Sequence, residues 1–403
     1  MTTPVSVVAL VVDEHKIITP LERDPRIKIS FVHPNDFKFE QFQGEILLTV
    51  SDWRPEIAQI LVEAKKKRIP SLLFQDGTLD WIIQNHGDAY GGNGGPTHFQ
   101  PILTDKIAVM GSQSARVITS WNDVTKIEVT GSPILQQEIN DAKVFNQINK
   151  PVNANQVKVL ITSPRLGWFC EDHKHAFVAA LKDLKSFFEH NKQFFPTWRL
   201  SRNLSELVGV NNEMKEKESR ELVPLIQQSD LVISAQSTVV VEAMLHNKPV
   251  AIIDYLNSPQ YYPSAWFITS KTQIEPTIMS MLKKEPNRML FQQQQLADIL
   301  VLHEDSIQRS VDLILNMIDY SKKHNSTDFP SNMLGYNAPF QTIQHDFTLP
   351  EIYPAISDQF EIKDQDIRLV LNRYKHENKL LKAQLKNRSF LQTLIRYKKK
   401  LIG

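Results

Sequence analysis

The chain has a single cysteine, Cys170, among 403 residues. No intrachain disulfide can form, and a reducing cytoplasm is the expected compartment. Neither CxxC nor HExxH occurs, which removes the usual frames of a structural zinc or a zincin site, and no metal is expected. Long apolar runs are missing too. The stretch 5–12 is broken by Ser6 and followed by Asp13-Glu14-His15-Lys16, without the basic flank and cleavage site of a secretory signal. Nothing approaches the ~20 apolar residues of a membrane span. An excess of one charge is also absent: 46 Lys and Arg against 45 Asp and Glu leave +1, so bulk electrostatics imply no nucleic-acid partner. There is no internal sequence repeat.

What remains is an ordinary globular mix, 41% apolar and 23% charged, in a chain too long for a single core. Strand and helix signals alternate, as in mostly parallel sheets covered on both faces. Strands are expected over 5–12, 28–32, 45–50, 70–74, 106–110 and 126–130. A helix is expected over 56–68, with Ile57, Ile60, Leu61 and Ala64 inward. Its last turn, Lys65 to Arg68, opposes the negative end of the helix dipole. Residues 149–156, with one proline and three asparagines, read as a linker. A second series follows, with strands over 157–162, near 194–200 (interrupted by Pro196), over 231–233 and over 249–253. Its helices are expected over 172–190, 219–228, 238–245, about 273–284 and 291–320. The architecture is therefore α/β, with two Rossmann-like domains, 1–150 and 151–321, facing a cleft. An extended connector or surface strap over 322–365 and a tail over 366–403 complete it. The tail holds eleven Lys and Arg from Arg368 on against one acid, Glu377, with Leu371, Tyr374, Leu381 and Leu385 on one helical face. A basic amphipathic helix of this kind points to an anionic membrane surface, which attracts each basic residue by ~1 kcal/mol. A short coiled coil or a docked helix is the alternative.

Ligands of open α/β sheets gather at the carboxyl ends of strands. In Asp230-Leu231-Val232-Ile233-Ser234-Ala235-Gln236-Ser237-Thr238 a buried strand passes through a small polar turn into a helix. Ser237 is the expected N-cap, and the helix start turns free N–H groups and a partial positive charge toward the crevice, where phosphates bind. Ser234, Gln236, Ser237 and Thr238 are the candidates there, with Glu242 one turn on, placed to face a sugar or ribose hydroxyl pair. The same residues also fit an ordinary capped turn with a solvated glutamate. In Phe74-Gln75-Asp76-Gly77-Thr78, Gly77 permits a tight turn and Asp76, partly desolvated, can take a proton from an attacking hydroxyl. Asp76 could instead cap a helix over 78–84; Asp80 and Asp88 follow on the same argument. Thr162-Ser163-Pro164-Arg165 offers hydroxyls and a guanidinium to a diphosphate, although Arg165 can equally pair with Glu171 or Asp172. Loop 85–96 holds five of the chain's 13 glycines without the spacing of a phosphate loop. It reads as a lid or acceptor loop with His86 and His98 as contacts, or as a plain flexible loop.

The succession Gln75-Asp76-Gly77, Lys106-Ile107-Ala108-Val109-Met110-Gly111 and Val129-Thr130-Gly131-Ser132-Pro133 resembles the acceptor domain of GT-B glycosyltransferases of bacterial surface polysaccharides. Asp230 to Thr238 with Glu242, then Lys248-Pro249-Val250-Ala251-Ile252-Ile253-Asp254, resembles their donor domain. The resemblance covers about residues 5–320 and is nearest to capsule and lipopolysaccharide transferases of the polysialyltransferase and CDP-glycerol transferase type. It implies a metal-independent transferase that moves a sugar from a nucleotide-sugar donor, a substrate rather than a cofactor, to a glycan or lipid-linked glycan acceptor. The expected location is cytoplasmic, peripheral at the inner face of the cytoplasmic membrane. Asp76 matches the family's general base, and Ser237 and Thr238 match its phosphate-holding pair. Gly77, His86, Asp88 and His98 fall on the acceptor side; Ser163, Arg165, Arg199, Ser234, Gln236 and Glu242 fall on the donor side. Two departures stand: Gln75 replaces an acid, and Pro196-Thr197-Trp198-Arg199 stands near the place of a missing His-Pro motif. The role of that histidine then passes to Arg199, Arg202 or Arg165, or the donor differs. Rival readings are a sugar-nucleotide epimerase, which needs a cluster of acids and Arg not evident in the second domain, and a non-catalytic module recruited through the tail. A homo-oligomer stays open.

Overall fold

The computed structural model describes residues 3–12, 16–82, 99–145, 156–164, 170–201, 203–211 and 222–335, with only the backbone for 143–145. In the first domain the strands are β1 (Val5–Leu10), β2 (Ile27–Val32), β3 (Ile46–Thr49), β4 (Ser71–Phe74), β5 (Lys106–Val109) and β6 (Ile127–Val129). They pair in parallel in the order β2-β1-β3-β4-β5-β6. Helices α1 (Pro55–Lys66), α2 (Ser112–Thr119) and α3 (Gln136–Phe145) follow β3, β5 and β6. Alternate residues of one strand serve opposite faces. Val8 and Leu10 of β1 join Leu47 against Ile57, Leu61 and Ala64 of α1. Val7 and Ala9 join Leu48, Leu72 and Phe74 on the other side. At the centre of the sheet both faces are dry, which is why β3 and β4 are apolar at nearly every position.

The second domain runs β7 (Val157–Thr162), α4 (Glu171–His190), β8 (Phe194–Arg199), α5 (Leu204–Val208), α6 (Leu222–Gln228), β9 (Leu231–Ser234) and α7 (Thr238–Leu245). It continues with β10 (Val250–Ile253), β11 (Trp266–Ile268), α8 (Ile274–Lys283), α9 (Pro286–Ile299) and α10 (Ser306–His324). The sheet is parallel, in the order β11-β10-β9-β7-β8. Pro196 lies within β8, an edge strand, where a missing N–H is tolerated. β11, three residues long, gives no readable period and was not expected.

The single helix expected over 291–320 is two helices. The apolar pattern runs through the break because Leu300 and Val301 are themselves buried. Leu300 turns extended (φ −126°, ψ 145°), the Val301 N–H donates to the Met110 carbonyl at 3.1 Å, and the Asp305 side chain accepts from the Ile307 and Gln308 N–H groups to start α10. That last helix returns to the first domain, where Val311, Ile314, Met317 and Ile318 pack in the cluster of Val7, Ala9, Leu72 and Phe74. Gly131 (φ +86°) makes the return path: an ideal Cβ on it would lie 2.1 Å from Ser306 Oγ. So 306–324 completes the first domain's core, although a boundary at 321 places it in the second.

A second core joins the domains, with Met110, Leu135, Ile139 and Ala142 clustered with Val240, Val241, Leu296 and Ile299. Beyond α10, the described part of the expected strap lies on the first domain. Phe329 is buried there. Lys106 Nζ, fully buried, donates to Glu128 Oε1 at 2.5 Å and to the Pro330 carbonyl at 2.6 Å, and the Met333 N–H donates to Glu128 Oε1 at 2.8 Å. The linker over 149–155, the rest of the connector and the tail over 366–403 lie outside the described residues. Among the described residues no helix is long and apolar enough to cross a membrane.

Candidate functional site

β4 ends at Phe74, and the next residue, Gln75, is 5% exposed. Its amide is used at both ends. Nε2 donates to the Gly77 carbonyl at 2.8 Å and to Ser114 Oγ at 3.0 Å, and Oε1 accepts from the Met110 N–H at 3.0 Å. A carboxylate at 75 has no proton for the first two bonds, which is the physical reason for Gln where the resemblance leads one to expect an acid. The turn it holds passes through Gly77 at φ +65°. Asp76, between them, is open to solvent, and its carboxylate makes no hydrogen bond or ion pair with any described residue. Solvent reaches the group, but the walls around it strip part of its hydration, and that burial pushes its carboxyl up from the ordinary aspartate value.

Facing it is the turn after β9. Thr162 Oγ1 donates to Ser234 Oγ at 2.7 Å, Ser234 Oγ donates to the Ala235 carbonyl at 2.7 Å, and Ser234 and Ser237 hydroxyls lie 3.2 Å apart. Ser237 occupies the N-cap position of α7 in extended backbone (φ −170°), yet its side chain makes no capping bond. This corrects the expected cap: its hydroxyl is turned to Ser234, and the helix start is left to other acceptors. Ser237 and Thr238 remain partly exposed. The two turns meet here, since an ideal Cβ on Gly77 would lie 3.2 Å from Thr238 Oγ1. Gln236 Nε2 reaches across to the Leu79 carbonyl at 3.3 Å, so Gln236 spans the domains rather than lining a donor pocket.

Two further expectations change. Ser163 Oγ accepts from the Ser201 N–H at 2.8 Å and lies 2.8 Å from Ser201 Oγ. Buried and so engaged, Ser163 fastens two loops; Ser234, with no exposure at all, likewise positions Ser237 from behind. Neither hydroxyl is presented to a ligand. His86, Asp88, His98, Arg165 and Arg202 lie outside the described residues.

The structure also brings together what the sequence keeps apart. Glu242 of α7 has Oε2 buried without a hydrogen-bond partner, and so has Glu138 of α3. Burial first, then the Glu138 charge, push the Glu242 carboxyl up, against the pull of Arg199 at the end of β8. Burial and then Asp141 push Glu138 up as well. The acid and Arg group missing from a reading of the second domain alone is therefore assembled across the domain boundary. Only an acid at helical position within an otherwise polar first turn, Gln136-Gln137-Glu138, could have signalled Glu138. Among the described residues no group of three or more His, Cys, Asp or Glu could hold a metal ion.

Two parallel α/β domains, with facing turns at the carboxyl ends of β4 and β9, define a protein of GT-B fold. The chain belongs to the family described as "Protein of unknown function (DUF354)", whose model matches residues 97–317. No curated protein matches the sequence. Among solved structures it is similar to the UDP-GlcNAc 2-epimerase of Neisseria meningitidis bound to UDP-GlcNAc, with TM-score 0.53 and 14% identity over 77% of this chain and 99% of that one. The S. aureus MnaA–UDP structure gives 0.55 and 11% over 81% and 99%. The wall teichoic acid polymerase TagF gives 0.53 and 12% over 80% and 91%. At these identities the likeness concerns the fold.

Proposed function

We propose that this protein is a glycosyltransferase that moves a sugar from a nucleotide-sugar donor to a glycan or lipid-linked glycan acceptor. One observation carries the reading: a carboxylate without a described partner, Asp76, sits in a turn that touches the start of α7 at Thr238. Transfer from a nucleotide needs a base for the acceptor hydroxyl and a counter-charge for the departing phosphate. Asp76 supplies the first. The N–H end of α7, with Ser237 and Thr238, supplies the second, and this reading assigns Arg199 and Glu242 to the donor side. The ligands named for the structurally similar proteins, UDP-GlcNAc and UDP, support a nucleotide-sugar as the substrate class. With one base and direct displacement the anomeric centre inverts. The test is release of nucleotide from UDP-, CMP-, CDP- and GDP-sugars by the full chain, wild type against Asp76→Asn, with product stereochemistry by NMR. Retained configuration, or undiminished turnover without the carboxylate, removes Asp76 from the role. The basic tail is the membrane-facing element of this reading. Deletion of 366–403 is expected to abolish binding to anionic liposomes.

Glu138 and Glu242, with Arg199 near them, favour a second reading, epimerisation of the sugar nucleotide itself. Inverting a carbon requires its proton to leave and another to return. An epimerase therefore incorporates solvent deuterium into the sugar without any acceptor; a transferase does not.

A further inference from the structure

Tyr262 lies between β10 and β11 with no solvent exposure, in the core that joins the two domains. Its hydroxyl is 2.9 Å from Thr78 Oγ1 and 3.1 Å from the Ser237 carbonyl. Thr78 closes the turn that carries Asp76, and Ser237 opens the helix that faces it. The adjoining residue takes part as well, since the Tyr261 carbonyl accepts from Gln113 Nε2 at 3.0 Å. A phenylalanine would fill almost the same volume, so packing alone does not call for a phenol here. A buried phenol is kept where its hydroxyl has partners, and this one has a partner in each domain.

We propose that Tyr262 is a positioning residue, a bridge through which the donor domain sets where the Asp76 carboxylate stands relative to the start of α7. The inference rests on the reading of Asp76 as the base. Displacing a catalytic group by about 1 Å costs on the order of 100-fold in rate, so a single bridging hydroxyl can matter for turnover while contributing little to binding. Its partners also explain the direction of control. Gln75 holds the Asp76 turn from within the first domain, and the hydrogen bonds of Tyr262 and Gln236 tie it to the second.

The test compares Tyr262→Phe with wild type in the full chain by two measurements. Amide hydrogen exchange needs no ligand: exchange within 75–79 is expected to quicken about tenfold, the factor for losing one net hydrogen bond, while peptides of β1 and β7 stay unchanged. Turnover of whichever sugar nucleotide the wild type consumes is expected to fall roughly 10- to 100-fold, with KM for the donor within about twofold. Thr78→Val should reproduce both effects, Thr78→Ser should restore wild-type behaviour, and the double variant should be no worse than either single one. Tyr255→Phe, which removes a hydroxyl bonded to Asp183 Oδ2 at 3.2 Å, is the control and should change neither. Unchanged exchange over 75–79 overturns the bridge. Exchange that quickens everywhere makes Tyr262 a mere core residue and overturns it too, as does a loss confined to KM. If Asp76→Asn is dead while Tyr262→Phe turns over normally, this inference fails and the transferase reading stands. If Asp76→Asn is fully active, both fall.

Discussion

β4 and β9 are both four-residue parallel strands with every residue buried, yet the turns that leave them keep different things unpaired. The β4 turn is fixed from beneath by one amide, Gln75, and by a left-handed glycine, and it exposes a carboxylate with no described partner. The β9 turn is fixed by a ladder of hydroxyls, Thr162 to Ser234 to Ser237, and it exposes the start of a helix. A base has to be left without strong partners, because a hydrogen-bonded or ion-paired carboxylate holds its proton affinity down. A phosphate cradle needs donors that are already oriented and unused. The same strand ending can therefore serve opposite charges, according to what the scaffold beneath it consumes.

The sharpest way to break this contrast is Asp76→Asn, which keeps the shape and removes the base. A general base contributes roughly 100- to 10,000-fold, so nucleotide release is expected to fall by that order while thermal stabilisation by the free nucleotide is kept. The pH profile sharpens the same point. Burial raises the Asp76 carboxyl above 3.8 and the ionised form is the active one. Turnover should therefore climb as pH rises through the carboxyl's raised value, and a profile without such an acid limb counts against the assignment. Next in size is Gly77→Ala. The residue sits at φ +65° with Thr238 Oγ1 3.2 Å from an ideal Cβ, so about 1–2 kcal/mol of left-handed strain and a displaced turn are expected, read by urea unfolding and by turnover. Gln75→Glu should cost about 1–3 kcal/mol in the same unfolding assay, because the Gly77 carbonyl and Ser114 lose their donor. The smallest effect on stability belongs to the other turn. An N-cap Ser→Ala change commonly costs about 1 kcal/mol, but Ser237 makes no side-chain cap. Ser237→Ala should stay under about 0.5 kcal/mol while weakening stabilisation by UDP or CDP; a full capping loss would mean that its hydroxyl does serve the helix.

Much of the fold was legible because a parallel strand dry on both faces must be an apolar run, as β3, β4, β9 and β10 are among the eleven strands. The eleventh, Trp266–Ile268, is too short to show a period. The break between α9 and α10 was hidden for the opposite reason: Leu300 and Val301 keep the apolar pattern going across it. Within the site, Asp76, Gly77, Ser237, Thr238, Arg199 and Glu242 stand out in the sequence through strand endings and helix starts. Glu138 and Tyr262 do not, because their significance lies in a partner more than 100 residues away.

The order of residues alone determined that there would be two parallel sheets, roughly where ten of the strands lie, and that an aspartate and a helix start would follow two of them, since these follow from apolar runs, turn residues and local hydrogen bonding. Tertiary packing alone decided that Ser163 and Ser234 are consumed as scaffolding, that the last helix closes the first core rather than the second, and that Glu138 meets Glu242. Those outcomes depend on which surfaces are brought together and which polar groups are left there without water, and no local stretch of chain encodes that.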